Sequence, residues 1–242
     1  MTINATKTVR DVVVEIPGAT RLFEKLGIDY CCGGGKPLAE ACASVGISEK
    51  EFSRLLEAAA NCYADKEGFK DWEAETLASL TEYIVSKHHV FTREELDRVE
   101  PLLAKVRSVH GERHPELLSI QKLFTALKAE LFPHMSKEEQ VLFPYVRSLE
   151  EAVASREPAP LPFFGTVRNP VRMMMMEHDA AGEILRNMRE LSDDYAVPAD
   201  ACISFQTLYQ ALEGLEADLH QHIHLENNIL FPRAVELEGA AR

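Results

Sequence analysis

One pattern of eleven residues occurs twice in this chain of 242 residues. Both copies read H-x3-E-x3-L-F-P, the first from His134 to Pro144 and the second from His222 to Pro232. Residues four apart lie on the same face of a helix, so each copy would place an imidazole beside a carboxylate. Because such a pair can chelate a metal ion, the repeat predicts two helices that each contribute ligands to a metal site.

A further histidine precedes each copy at nearly the same distance, His89 before the first and His178 before the second. Two such halves facing each other would bring together four histidines and two carboxylates, about the number of ligands that two metal ions need. The neighbouring His88 competes with His89, which we prefer because its distance to His134 matches the second half better. The alternative is an old duplication of a helical hairpin whose polar pairs only cap helices or face solvent. The predicted metal ligands are His89, His134, Glu138, His178, His222 and Glu226.

The composition limits the classes of protein to which the chain can belong. Its formal net charge is −13 and it has no run of Lys or Arg, so nucleic acid is not an expected partner. No uninterrupted apolar stretch of about 18 residues occurs, so a membrane is not expected either. Five cysteines, an odd number, do not suggest the disulfide framework of a secreted protein. We therefore expect a cytoplasmic protein of one or two domains.

The chain divides into two predicted units. Residues 1–66 contain short spans with helix start and stop signals, so we expect a small helical domain with a Cys-Cys-Gly-Gly-Gly loop at residues 31–35. Apolar residues at helical spacing continue over residues 72–242, and no segment alternates as a strand would. Four helices with inward-facing ligands are the geometry of di-iron and di-manganese bundles. The predicted fold class is therefore all-α, with a four-helix bundle after the small domain.

Prolines and polar residues give local predictions for the bundle. Pro101 and Pro133 should break or bend their helices, because proline lacks the backbone N–H that an inner helical position needs. Asn169 is expected to cap a helix whose first residue is Pro170. His110 lies in a predicted turn region, where exposure to solvent is expected.

The type of ligand favours particular metals. Imidazole nitrogen with carboxylate oxygen and no thiolate suits iron, manganese or zinc, whereas a structural zinc site would be rich in cysteine. We choose iron. If Glu138 and Glu226 each bridge two ions and an oxo or hydroxo group joins them, each iron has five ligands and one open position. A diatomic molecule could bind there, and two open positions on adjacent ions could hold two of them.

Cys31 and Cys32 allow two interpretations. They could form a redox-active or nitric-oxide-reactive pair, with thiol pKa values lowered by backbone N–H groups of the glycine-rich loop or by the start of the helix after Pro37. Alternatively, the loop is a tight turn with one buried thiol, and the glycines provide backbone freedom. Both interpretations stay open, and the pair is our candidate for a catalytic role.

These features together resemble a known family. The two H-x3-E-x3-L-F-P lines, the Glu177-His178-Asp179 step and the early Cys31-Cys32-Gly33-Gly34 are similar to those of the iron-sulfur cluster repair di-iron proteins. Those are hemerythrin-like proteins with a small N-terminal domain. The resemblance covers nearly the whole chain and implies a hemerythrin-like bundle with the same six ligands. It also implies a stress-response role, the recovery of iron-sulfur enzymes from nitric oxide or oxidative damage.

The resemblance leaves the mechanism open. A diferrous centre that binds nitric oxide could reduce it to nitrous oxide, which would make the protein an enzyme. It could instead release iron to a damaged cluster, with help from Cys31 and Cys32, and the clients would be damaged iron-sulfur proteins. The alternatives are a hemerythrin-like carrier or sensor of dioxygen, and a manganese or zinc hydrolase. A homodimer is compatible with the sequence, although no feature of it argues for one.

Overall fold

The computed structural model describes residues 7–16, 18–63 and 70–240, apart from the side chains of residues 58–63. Within these ranges the chain is helical except for turns and loops, and the β contact there is an isolated bridge between Thr8 and Pro37. The predicted all-α fold is therefore confirmed. None of the described helices is long and apolar enough to cross a membrane.

Four short helices make up the described N-terminal unit. Thr8 caps the first helix by accepting a hydrogen bond from Asp11 N, and the Asp11 carboxylate accepts one from Thr8 N. Gly27, at a φ of 68°, ends the second helix in the left-handed conformation that suits glycine. Phe23 and Phe52 pack against each other in the core of the unit. The helices are α1 (Val9–Glu15), α2 (Ala19–Leu26), α3 (Leu38–Ser44) and α4 (Glu49–Tyr63).

The rest of the described chain forms a bundle of four helical rods, three of which contain a π-helical segment. The first rod joins α5 (Leu77–Tyr83), π1 (Ile84–His89) and α6 (Val90–His110), the second joins α7 (Glu116–Lys137), π2 (Glu138–Leu142) and α8 (Phe143–Ser155), the third is α9 (Arg168–Leu191), and the fourth joins α10 (Ile203–His224), π3 (Leu225–Leu230) and α11 (Phe231–Ala240). α7 packs against α6 and α9, and α6 also packs against α10. The predicted small helical domain and four-helix bundle are confirmed. Their boundary at residues 66–72 stays a prediction, because residues 64–69 lie outside the described ranges.

Both prolines inside the bundle helices are accommodated without a break. α6 continues through Pro101 and α7 continues through Pro133, so a break at Pro101 is wrong, whereas the bend expected at Pro133 stays a prediction. A proline in a helix interior costs about 3 kcal/mol, and the burial of apolar side chains on both sides of it offsets that loss. Leu131 and Met135, on either side of Pro133, are buried in the same apolar cluster. This packing stabilises the helix on both sides of the proline.

Two glutamates cap the starts of helices from a distance. The carboxylate of Glu150 in α8 accepts hydrogen bonds from Leu77 N and Ala78 N at the start of α5, at 2.7 and 3.0 Å. The carboxylate of Glu238 in α11 accepts one from Val167 N, just before α9, at 3.0 Å. A carboxylate at a helix N-terminus satisfies free N–H groups and interacts favourably with the helix dipole. Each cap therefore ties the end of one rod to the start of another.

The start of α9 differs from the prediction because Glu238, not Asn169, caps it. The helix begins at Arg168, so the prediction of Asn169 as its cap is wrong. The Asn169 side chain donates instead to Phe164 O at 2.8 Å. Glu238 takes the capping role, and it follows the second copy of the repeated pattern at the same interval at which Glu150 follows the first. The internal repeat thus extends beyond the eleven residues that defined it.

Two apolar clusters fill the bundle, one on each side of the predicted ligands. In the second rod Met135 belongs to one cluster and Leu142 to the other, and in the fourth rod Leu219 and Leu230 are divided in the same way. The glutamate of each repeated pattern falls between these residues in both rods. The predicted ligands therefore lie between two apolar layers that exclude water.

The N-terminal unit docks on π3 through backbone groups. Arg10 Nε donates to Asn228 O at 2.9 Å, and Pro232, four residues further on, has no N–H to donate the α-helical bond to that carbonyl. The Asn228 side-chain amide donates in turn to Tyr30 O at 2.9 Å. A Cβ atom on Gly34 would lie 2.5 Å from Asn228 Oδ1, so glycine is what allows the loop to approach so closely.

Gly34→Ala is expected to lower the free energy of unfolding by about 1–3 kcal/mol, the usual cost of an overpacked site. The added methyl would meet Asn228 Oδ1, and Asn228 is buried with its amide hydrogen-bonded, so it cannot retreat easily. Urea denaturation at an unchanged m-value measures the loss. Gly35→Ala is the matched control, because no atom lies within 4 Å of its added methyl. Equal losses in the two variants would contradict the docking described above.

Candidate metal centre

The structure brings all six predicted ligands together inside the bundle. They form two groups, and within each group the ligand atoms lie within 4.8 Å of one another. The first group is His89, Glu138, His222 and Glu226, and the second is His134, Glu138, His178 and Glu226. Each group thus has its own pair of histidines, and the two groups share both glutamates. All six side chains are buried.

The carboxylate of Glu226 spans the two groups. Its Oε1 lies 3.0 Å from His222 Nε2, and its Oε2 lies 3.1 Å from His178 Nε2. Burial lowers the pKa of His222 to about 4, so its imidazole is neutral near pH 7 and has a lone pair for a metal. Burial opposes protonation of His178, but its contact with Glu226 raises the pKa of His178 to about 9. A metal ion binding there would displace that proton.

Of the two shared glutamates, Glu138 has the environment that more strongly opposes a charged carboxylate. Its Oε2 lies 3.4 Å from His89 Nε2 and 3.3 Å from His134 Nε2. Burial and the nearby charge of Glu226 raise the pKa of Glu138 to about 8. Both carboxylates belong to groups whose ligand atoms lie within 4.8 Å of one another, so ionisation of Glu226 opposes ionisation of Glu138. The pair therefore needs either a shared proton or bound metal.

Buried polar atoms without hydrogen-bond partners show whether these residues suit a metal ion. Both carboxylate oxygens of Glu138 are buried and accept no hydrogen bond from any described residue. A buried carboxylate without partners is costly, and coordination to a metal removes that cost. Six nitrogen and oxygen donors with no sulfur also suit hard or intermediate metal ions. The residues present fit a pair of metal ions.

Junctions between α-helix and π-helix place five of the six ligands, and His178 lies within α9. His134 lies in the last turn of α7 and Glu138 begins π2, while His222 lies near the end of α10 and Glu226 follows in π3. His89 is the last residue of π1. A π segment inserts an extra residue into the helix and is frequent at functional sites. It turns the residues that follow onto a new face, so ligands and apolar side chains can both point inward.

The Leu-Phe-Pro end of the repeated pattern has a role of its own at the centre. Phe143 stacks on the imidazole of His89 with ring centroids 5.8 Å apart and planes 19° from parallel. Phe231 stacks on His178 at 5.9 Å and 6°. Both phenylalanines are buried, so each orients a histidine and keeps water from one side of it.

Two glutamates outside the predicted set orient histidines of the centre. Glu139 Oε1 accepts a hydrogen bond from His89 Nδ1 at 2.7 Å and also bonds Arg93. Glu177 Oε2 accepts one from His134 Nδ1 at 2.8 Å. With Nδ1 protonated, Nε2 of each ring is free to bind metal, which is the usual arrangement of metal-bound histidine. The sequence prediction did not assign these roles, although each glutamate is adjacent to a predicted ligand.

The remaining two histidines differ from each other. Asn227 Oδ1 accepts a hydrogen bond from His178 Nδ1 at 2.9 Å. His222 Nδ1 is buried and has no partner among the described residues. Glu139 and Asn227 occupy the same position in the repeated pattern, one residue after its glutamate. That correspondence is the sequence signal from which these orienting residues could have been found.

Two other histidines were also considered from the sequence. The structure places His88 outside both groups, with its Nδ1 3.1 Å from Asp218 Oδ1, and places His89 inside the first group. His110 is buried, and its Nε2 lies 3.2 Å from Cys202 Sγ. The expectation that His110 is exposed is wrong, because α6 continues as far as this residue and turns it toward the start of α10.

The cysteine pair lies in the loop that docks on π3. Cys31 is buried, and its Sγ is 3.9 Å from Cys32 Sγ. The backbone N–H groups of both residues donate to Asp29 Oδ1, at 3.1 and 2.9 Å. The thiol of Cys32, burial and the charge of Asp29 raise the pKa of Cys31 well above its ordinary value. Of the two interpretations, this direction favours a buried thiol at Cys31, because the loop N–H groups donate to Asp29 instead.

His89→Gln is expected to reduce the bound metal from two ions per chain toward one, because the first group then keeps a single imidazole. His88→Gln is the matched control, since His88 is equally buried but lies in neither group. Elemental analysis after a wash with a weak chelator measures the metal, and circular dichroism checks that both variants are folded. The same metal content in the two variants would contradict the assignment.

Comparisons with known proteins agree with this geometry. The model of the hemerythrin HHE cation binding domain matches residues 79–234, and a domain of unknown function matches residues 5–60. The chain is 34% identical over 231 residues to a probable iron-sulfur cluster repair protein of Haemophilus influenzae, covering 96% of this chain and 97% of that protein. It is 34% identical over 229 residues to the iron-sulfur cluster repair proteins YtfE of Enterobacter sp. and of Escherichia coli O81, covering 93% of this chain and 94% of each of them. The chain therefore belongs to the hemerythrin-like family of iron-sulfur cluster repair proteins.

Proposed function

We propose that this protein holds two non-haem iron ions joined by an oxo or hydroxo bridge, and that it repairs iron-sulfur clusters damaged by nitric oxide or oxidative stress in the cytoplasm. One observation carries the proposal: Glu138 and Glu226 belong to both ligand groups. Two shared carboxylates with two imidazoles on each side are a donor set suited to a pair of iron ions in a helical bundle. The names of the relatives support the repair role.

The chain's own residues bind the ions and shield them. The four imidazoles and two carboxylates hold the pair, and Glu139 and Glu177 keep the Nδ1 protons of two of the rings in place. Apolar layers on both sides, together with Phe143 and Phe231, exclude water. When bound in the ferrous form, such a centre supplies two electrons, enough to convert two nitric oxide molecules and two protons to nitrous oxide and water. The buried site favours small ligands such as nitric oxide over larger substrates.

A second route treats iron as the cargo rather than as the catalyst. Here the centre releases iron to a damaged cluster, and the side chains of Asp29, Cys31 and Cys32 assist the transfer. Their ligand atoms lie within 4.8 Å of one another, so the trio could hold one iron ion in transit. This route needs no turnover of nitric oxide, and its partner is a damaged iron-sulfur protein.

The iron-loaded protein is expected to restore the activity of a hydro-lyase whose iron-sulfur cluster has been damaged by nitric oxide. Metal-free protein, prepared from the same batch, is the control and should restore little. The measurement is the recovered rate of the hydro-lyase against time under anaerobic conditions. Equal recovery with and without iron in the added protein would contradict the proposal.

Nitric oxide added anaerobically to the ferrous protein separates the two routes. Nitrous oxide in the headspace, measured by gas chromatography, selects the reductive route. A spectral change that depends on nitric oxide, without nitrous oxide, excludes the reductive route. A stable, reversible spectrum in air together with no repair would favour the carrier or sensor of dioxygen instead.

A further inference from the structure

We propose that Asn227 is a positioning residue that links the metal centre to the cysteine loop, defined here as residues 30–34. Through this link, metal bound in the bundle keeps Cys31 covered, and loss of the metal allows the loop to open. The inference rests on metal binding by the bundle but not on the repair of clusters or on the route by which repair occurs.

The amide of Asn227 contacts the centre on one side and the loop on the other. Its Oδ1 accepts the hydrogen bond from His178 Nδ1 at 2.9 Å, and its Nδ2 donates to Cys31 O at 3.1 Å. Only one orientation of an amide serves an N–H donor and a carbonyl acceptor at the same time. A side chain held by His178 in this orientation therefore also holds the backbone of Cys31.

Bound metal would fix the hydrogen bond between His178 and Asn227. Asn227 directly follows Glu226 in π3, and its partner His178 lies on α9. An ion bound by His178 Nε2 and by Glu226 fixes the two rods relative to each other at this level, and leaves the histidine proton on Nδ1, facing Asn227. Without the ion, the unpartnered carboxylate oxygens of Glu138 make local opening of the centre less costly.

The loop has two further contacts with the elements around the centre. Asn228, the next residue of π3, donates to Tyr30 O at 2.9 Å. The loop also packs on α9 one helical turn after His178, where a Cβ atom on Gly182 would lie 3.7 Å from Cys32 Sγ. Movement of π3 or of this part of α9 thus reaches the loop directly.

The cysteines of the chain provide the measurement. Cys31 is 5% exposed, so its thiol reacts with a reagent only after the loop has moved. Cys42 is buried in the core of the N-terminal unit and reports unfolding of that unit. Cys202 is exposed and lies at the start of α10, so it reports the reaction of an accessible thiol outside the loop. Alkylation with iodoacetamide, followed by fragment-ion mass spectrometry that assigns the label to each cysteine and so separates Cys31 from Cys32, gives the three rates in one sample.

In the full-length wild-type protein, removal of iron is expected to speed the alkylation of Cys31 while the rates of Cys42 and Cys202 stay the same. The iron-loaded form is kept ferrous and anaerobic so that the thiols are not oxidised. The fold-change should be about threefold to tenfold, which is the range for the loss of one hydrogen bond.

Asn227→Asp separates the two halves of the link. A carboxylate still accepts the hydrogen bond from His178, so iron content should be retained, but it places an oxygen opposite Cys31 O. Cys31 of the iron-loaded variant should then react about threefold to tenfold faster than in the wild type. Asn227→Ala loses both contacts, so iron affinity should also fall by about 10–100-fold, and the rate at Cys31 should no longer respond to iron.

Glu177→Gln is the matched control, because Glu177 orients His134, a ligand of the same group as His178, but makes no described contact with the loop. It should weaken iron binding and leave Cys31 covered whenever iron is saturating. An equal rate at Cys31 with and without iron in the wild type would overturn the proposal while leaving cluster repair intact. Wild-type protection in Asn227→Asp would overturn it as well. A wild-type protein that binds no iron would overturn both this inference and the proposed function.

Discussion

The burial of Glu138 and Glu226 side by side is the constraint on which the rest of the structure depends. Four imidazoles surround them and no described lysine or arginine reaches them, so the metal-free centre can keep only one of the two carboxylates readily ionised. Two bound cations would remove that conflict and satisfy the oxygens of Glu138 that lack partners. Burial of these polar groups destabilises the metal-free fold, so we infer that the site normally holds metal.

The internal repeat can now be explained residue by residue. In each copy the histidine and glutamate face the centre, the phenylalanine stacks on a histidine of another rod, and the proline follows the π segment. In the second copy that proline leaves Asn228 O available to Arg10 of the N-terminal unit. Further on, Glu150 and Glu238 cap the helices that start the two halves. The repeat therefore encodes ligands, packing and helix caps together.

The sequence was sufficient for the bundle and for the grouping of the six side chains, because spacing along a helix and duplication are both visible in one chain. It was insufficient for the π segments. A proline marks the end of two of them, but π1 has no such residue after it. The continuous paths of α6 and α7 through Pro101 and Pro133 depend on burial on both sides, and the capping by Glu238 depends on a contact between distant helices. Such tertiary contacts override local rules and have no local signal.

Low-temperature electron paramagnetic resonance of the mixed-valence protein, combined with its iron content, tests the central claim most directly. The shared carboxylates predict two irons per chain and the spectrum of a magnetically coupled pair, which disappears when both ions are oxidised or both are reduced. A single iron per chain, or the spectrum of isolated high-spin ferric iron, would contradict the account.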